Sequence, residues 1–169
     1  MAYRRRQYRR SSGQRDKYSV EQTGFSVAFP EEATNGLYQS AVQVVAPDTT
    51  QGMRKVKHLT VNLTYNNGAG TEDAAELFWT LVFVPQGYTP NAMYSTTGTV
   101  SGSLYEPNQF VMNAGIVDPS AGPIRFRSPV SRNLNSGDSI YLIIGTTSRN
   151  PSAPTAGCFG VVRYAVTLQ

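Results

Sequence analysis

The side chains best suited to chemistry stand at the start of this 169-residue chain. Arg4, Arg5, Arg6, Arg9, Arg10, Arg15 and Lys17 face one acid, Asp16, so residues 1–17 carry a net charge of +6. A guanidinium group pairs with phosphate through two parallel N–H donors and stays charged at any physiological pH. Tyr3 and Tyr8 stand among the arginines, where rings can stack on exposed bases. So charged a segment has too little apolar matter to fold alone. Residues 1–17 are therefore expected to be a disordered arm that binds nucleic acid or an anionic membrane surface. Arg4-Arg5-Arg6-Gln7-Tyr8-Arg9-Arg10 also has the composition of a nuclear import signal. The plainer alternative is a solvated tail.

Two smaller basic groups follow. Arg54, Lys55 and Lys57 open a strand-like run. They either meet phosphates brought near by the arm or blunt a solvated strand end. Arg125 and Arg127 flank Phe126, so strand alternation points both to one face, toward nucleic acid, a neighbouring subunit or solvent. They join Tyr88, Tyr94 and Tyr105, aromatic residues of a long loop or its end, as candidates for a subunit interface.

Catalytic chemistry finds no constellation. His58 is the only histidine, with no carboxylate near it in sequence, so a zinc site is not expected. Cys158 is the only cysteine and reads as a small buried apolar residue rather than a nucleophile. With one thiol, an intrachain disulfide framework is impossible. Glu31-Glu32 and Glu72-Asp73 fall in loop-like stretches and read as solvated. Gly68-Ala69-Gly70 lacks the lysine of a phosphate-binding loop, and Asn62-Leu63-Thr64 falls mid-strand, where glycosylation is not expected. No enzyme activity, cofactor or metal is expected.

The elements that must position these residues are strands. Charged residues make up only 15% of the chain, against about 25% in an average domain, while Gly 15 and Pro 10 supply many turns. Eight runs rich in Val, Ile, Thr, Tyr and Phe occupy about 18–29, 37–46, 54–65, 76–84, 109–117, 123–130, 138–147 and 158–168. Between them fall turn sequences such as Asn66-Asn67-Gly68 and Pro85-Gln86-Gly87. One helical turn is expected at 71–75. The longest apolar run, Leu77 to Val84, is too short for a membrane-spanning helix, so no membrane anchor is expected. The arginines are followed by no apolar stretch of a secretory signal.

Eight antiparallel runs fit a jelly roll of two four-stranded sheets. One sheet would hold the first, eighth, third and sixth runs in that order. The other would hold the second, seventh, fourth and fifth. The fourth and seventh runs are apolar on both faces and would lie adjacent at the centre of that second sheet. Its outer face would need a cover, from the chain's own loops or from a neighbouring subunit. The domain organisation expected is an arm over 1–17 and a jelly roll over 18–169. The roll holds 8 basic and 10 acidic residues, a net of −2.

An Arg-rich arm before an eight-run β domain with almost no catalytic residues resembles the capsid proteins of small circular single-stranded DNA viruses, the circovirus-like group. The stretches that carry the resemblance are Met1–Arg10, Arg54-Lys55-Val56-Lys57, Ser103-Leu104-Tyr105-Glu106-Pro107-Asn108-Gln109, Pro123-Ile124-Arg125-Phe126-Arg127-Ser128 and Arg132-Asn133-Leu134-Asn135-Ser136-Gly137-Asp138-Ser139-Ile140. The resemblance implies one roll per subunit and an icosahedral shell of about sixty copies of the chain. It implies inward-facing arms on a single-stranded DNA genome, delivery to the host nucleus by its import machinery, and location in the virion. It also implies that the loops near 30–37, 66–75, 118–122 and 148–156 share one end of the roll. Satellite RNA virus coat proteins share this architecture, which keeps RNA as an alternative cargo. A non-assembling nucleic-acid-binding β domain is the rival outside the virus class, and a sugar-active jelly-roll enzyme is a third reading.

Overall fold

The computed structural model describes residues 18–33, 36–49, 52–66, 76–91, 105–106, 109–147 and 156–168. The arm at 1–17, the expected helical turn at 71–75 and Tyr94 lie outside the described residues.

Ten strands follow in order: β1 (Ser19–Ala28), β2 (Tyr38–Val45), β3 (Arg54–Asn66), β4 (Leu77–Val84), β5 (Tyr105–Glu106), β6 (Gln109–Val117), β7 (Ile124–Arg127), β8 (Arg132–Leu134), β9 (Ser139–Thr146) and β10 (Gly157–Leu168). One sheet runs β1-β10-β3-β7, with β8 pairing the other half of β3. The second runs β2-β9-β4-β6-β5. All pairings are antiparallel. This is the jelly-roll order expected from the sequence. The strand ends joined by loops near 29–37, 67–76, 118–123 and 147–156 lie together, as pairs Ala28↔Gly157, Gly157↔Asn66, Leu77↔Thr146 and Leu77↔Val117 require.

Two short strands add to the eight expected. β5 forms a hairpin with β6 through Tyr105↔Phe110, and β8 lies on the start of β3 through Val56↔Arg132. The sixth run is shorter than its apolar content suggested. Its ladder ends where Ser128 donates its N–H to Leu59 O at 2.9 Å, because Pro129 has no N–H to continue it.

The sheets close on one apolar core. Leu59, Val61 and Leu63 of β3 face Leu77, Trp79 and Leu81 of β4, Leu142 and Ile144 of β9, and Phe126 of β7 within a single buried cluster. Each fully buried Leu or Ile contributes roughly 1.5–3 kcal/mol of transfer free energy. Trp79 and Phe126 stack across the sheets, with centroids 3.9 Å apart and planes at 10°. Gly115 makes room for that stack: a Cβ there would lie 2.9 Å from the Trp79 ring.

The outer face of the β2-β9-β4-β6 sheet is apolar, as expected. Val82 and Val84 are wholly buried and Ile143 is 2% exposed; they form a small second cluster with Val111 and Tyr141. A single chain therefore already covers these side chains. Ile116, on the same face, is 63% exposed, so the chain covers the centre of that face and leaves part of its β6 side open.

Candidate nucleic-acid interface

The outer face of the other sheet has a different chemistry. On β7, Ile124 and Phe126 are buried and Arg125 and Arg127 are exposed. On β10, Cys158 and Val162 point into the core, which leaves Phe159, Val161 and Arg163 outward. On β3, Leu59, Val61 and Leu63 point inward, and Thr60, Asn62 and Thr64 outward.

The start of β3 breaks the simple alternation. Strict alternation from Leu59 would send Lys57 into the core and Val56 out. His58 instead has φ 56°, a left-handed conformation in which His is several-fold enriched among non-glycine residues. The register against β10 shifts there, between Arg163 and Ala165. This bulge reverses the parity of everything before it. Val56 is buried in the core, while Lys55 and Lys57 turn out beside Thr167 and Ala165.

The registers then map the face row by row, from β1 to the opposite edge. Ser26, Phe159 and Thr64 form the first row; Gly24, Val161, Asn62 and Arg125 the second; Gln22, Arg163, Thr60 and Arg127 the third. Val20, Ala165 and Lys57 form the fourth, and Thr167, Lys55 and Asn133 the fifth. Neighbouring positions in a row stand about 4.8 Å apart. Five cations thus share one face, separated by hydroxyl and amide side chains. No Asp or Glu of the described residues shares it. The one acid of these strands, Glu21, pairs on the opposite face with Tyr164, whose Oη donates to Glu21 Oε2 at 2.7 Å.

His58 belongs to this surface. Arg127 Nη2 lies 2.8 Å from His58 Nδ1. Arginine can only donate, so in this contact His58 Nδ1 is the acceptor. Tyr18, the first described residue, holds its ring centre 3.4 Å from Lys57 Nζ. Tyr18 follows the +6 segment in sequence, so the described chain begins at the basic face.

Other expected site residues divide. Arg54 is separated from Lys55 and Lys57: it lies on the inward-facing side, and its Nη2 donates to the carbonyls of Ala46 and Asp138, the latter at 3.3 Å. That pairing sets it apart from the two lysines. Tyr88 is 55% exposed beside the turn closed by its own N–H on Pro85 O. Tyr105 is placed by its backbone at the sheet edge. Arg125 and Arg127, expected at a subunit contact or a polar face, lie on the cationic face. Arg163 and Phe159 were absent from the expected set, although the alternation Cys158, Val162, Tyr164 in the eighth run marks both as outward. Arg132 was missed too; its guanidinium stands 4.5 Å from the Phe83 ring centre and 5.1 Å from that of Phe110.

The chemistry of hydrolysis or metal binding is not assembled. Among the described residues no group of three or more His, Cys, Asp or Glu could hold a metal ion. Burial pushes the Cys158 thiol up to about 12, so it is protonated and inert at neutral pH. Asp138 accepts the N–H groups of Gln86 and Asn135, and Asp118 accepts the hydroxyl and the N–H of Ser120, which lower its pKa; both close turns. No helix among the described residues is long and apolar enough to cross a membrane.

No protein-family model matches the chain, and no curated protein matches it. Solved structures give distant likenesses. A chain of Desmodium yellow mottle tymovirus is 12% identical over 91% of this chain and 83% of its own length, with a TM-score of 0.36. A CocE/NonD family hydrolase from Staphylococcus aureus is 7% identical over 92% of this chain and 37% of its own, also at 0.36. The VP2 subviral particle of infectious bursal disease virus is 10% identical over 92% of this chain and 41% of its own, at 0.20. A virus chain and a hydrolase score alike, so these likenesses carry no functional argument.

Proposed function

We propose that the chain is a viral coat protein that self-assembles into a small icosahedral shell and packages single-stranded DNA through its Arg-rich arm. One observation carries the reading. Seven of the eight basic residues in 18–169 sit on the strands of the sheet that receives the arm, and the β2-β9-β4-β6 strands hold none. A roll with one cationic side, fed by a +6 arm, is polarised as a shell subunit must be: nucleic acid on one side, something else on the other. Arg4, Arg5, Arg6, Arg9, Arg10, Arg15 and Lys17 neutralise phosphates, and Tyr3 and Tyr8 stack on bases. The partners in this reading are about sixty copies of the chain itself, a single-stranded DNA genome and the host's nuclear import machinery. Its locations are the virion and the host nucleus.

Electron microscopy of the purified full chain, with extraction of any enclosed nucleic acid, tests it. Uniform shells that protect DNA from nuclease support the reading; RNA inside them replaces the cargo; a persistent monomer removes the shell. A second reading, a nucleic-acid-binding β domain acting alone, is favoured by one observation: the outer cluster of Val82, Val84 and Ile143 is already covered within one chain. A monomer in light scattering at high concentration, with retained DNA binding, is its signature.

A further inference from the structure

We infer that the outer face of the β1-β10-β3-β7 sheet is itself a single-strand nucleic-acid surface, distinct from the arm, in which Lys55, Lys57, Arg125, Arg127 and Arg163 hold phosphates and Phe159 stacks on an unpaired base. The inference rests on the nucleic-acid reading above and adds a site on the folded sheet to the one proposed for the arm.

Phe159 is the feature that demands an explanation. It is 55% exposed in the middle of a β-sheet face, between the hydroxyls of Ser26 and Thr64. An exposed aromatic on a cationic face provides what a single strand needs, a stacking platform beside an electrostatic track. A duplex does not use such a ring, because its base faces are already stacked. Asn62, Thr60, Gln22 and Asn133 fill the positions between the cations and offer donors and acceptors to bases, sugars and phosphates. A second protein subunit is the poorer occupant. Protein interface cores are depleted in charge and in lysine, and covering this face would bury five like charges with no acid on it to pair them.

The pre-set geometry distinguishes the face from the arm. The bulge at His58 turns both lysines to the side of Arg163 and Arg127, and Tyr18 under Lys57 holds the start of the roll against the same surface. A strand gathered by the arm is delivered to a track whose cations are already in place.

The test uses the full chain, labelled oligothymidylate and fluorescence anisotropy over a salt series. One variant carries Arg4→Gln, Arg5→Gln, Arg6→Gln, Arg9→Gln and Arg10→Gln; a second carries Arg125→Gln, Arg127→Gln and Arg163→Gln; a third is Phe159→Ser. Thermal melts confirm that each remains folded, and the third variant changes no charge, which keeps the test open if the second is unstable. The arm variant should still bind in a salt-dependent way. The face variant should flatten the plot of log Kobs against log salt by about 2, at about 0.7 per phosphate contact. Phe159→Ser should weaken binding about tenfold. Ultraviolet crosslinks should map to the peptide that contains Phe159.

Loss of all binding in the arm variant, with unchanged binding in the other two, overturns the proposal and leaves the arm reading intact. Undiminished binding in the arm variant with loss in the face variant supports the face and removes the arm's packaging role. If the face substitutions release anionic vesicles but leave the oligonucleotide bound, the surface is a membrane contact and the proposal fails.

Discussion

The two sheets of the roll are built from similar strands and differ in what their outer faces carry. The β1-β10-β3-β7 sheet shows water five cations, a ring of amides and hydroxyls, and an exposed Phe159. The β2-β9-β4-β6 sheet carries no Lys, Arg, His, Asp or Glu on its strands and has Val82, Val84 and Ile143 covered. The same topology thus yields one face suited to a polyanion and one suited to packing. A body net charge of −2 conceals this. The acids that offset the cations sit mostly in loops, among them Glu31, Glu32, Asp48, Asp118 and Asp138, so the average is near neutral while the sheets are not.

The sharpest way to break the contrast is to place the same charge on each face. Val82→Asp puts a carboxylate in a covered apolar cluster and should cost several kcal/mol, enough to unfold a marginal domain; urea denaturation measures it. Thr64→Asp, on the exposed face, should stay within about 0.5 kcal/mol in the same assay. Equal losses would mean that the two faces are alike.

A smaller effect is expected at the bulge. His58→Val places a β-branched side chain in a left-handed conformation and should destabilise by about 2 kcal/mol. His58→Gly, which tolerates that conformation, should not. The pair of thermal melts separates backbone conformation from loss of the Arg127 contact.

Alkali should act on the cationic sheet, because Cys158 and Tyr164 both lie on β10 and burial raises both to about 12. For Cys158 the contribution is fully present below pH 9. The unfolded thiol then ionises first, so stability falls by about 1.4 kcal/mol per pH unit up to about 12. Cys158→Ala should flatten that loss, and iodoacetamide should leave native Cys158 unlabelled at pH 8. Smallest is Tyr18→Ser, which removes the ring under Lys57 and should cost about 0.5–1 kcal/mol. Hydrogen exchange confined to the start of β1 would register it.

Much of this was legible beforehand. The eight runs were readable because period-2 alternation and turn residues are local signals; the order of both sheets came from the jelly-roll pattern, with which the two doubly apolar runs agreed. Arg125 and Arg127 were readable as a pair for the same reason. β5 and β8 were not, since two or three residues carry no period and take their conformation from the strands they pair with. The separation of Arg54 from Lys55 and Lys57 was not readable, because its partners, the carbonyls of Ala46 and Asp138, come from distant parts of the chain. Arg163 is outward by the alternation of the eighth run, yet a single arginine among valines carries no local sign of a cluster assembled from three strands.

The bulge at His58 acts as a counting device. Between Arg54 and Leu59 the chain carries one residue more than a regular strand would need to keep its lysines outside and Val56 inside. Deleting His58 takes out that extra residue, and the regular strand left behind still keeps Lys55 and Lys57 outside and Val56 inside. The exchange would come instead from flattening the bulge with every residue kept. Lys55 and Lys57 would then be driven toward the core and Val56 toward water, with no side chain altered in identity. In this segment the sign of the surface is therefore set by one irregular backbone step as much as by composition.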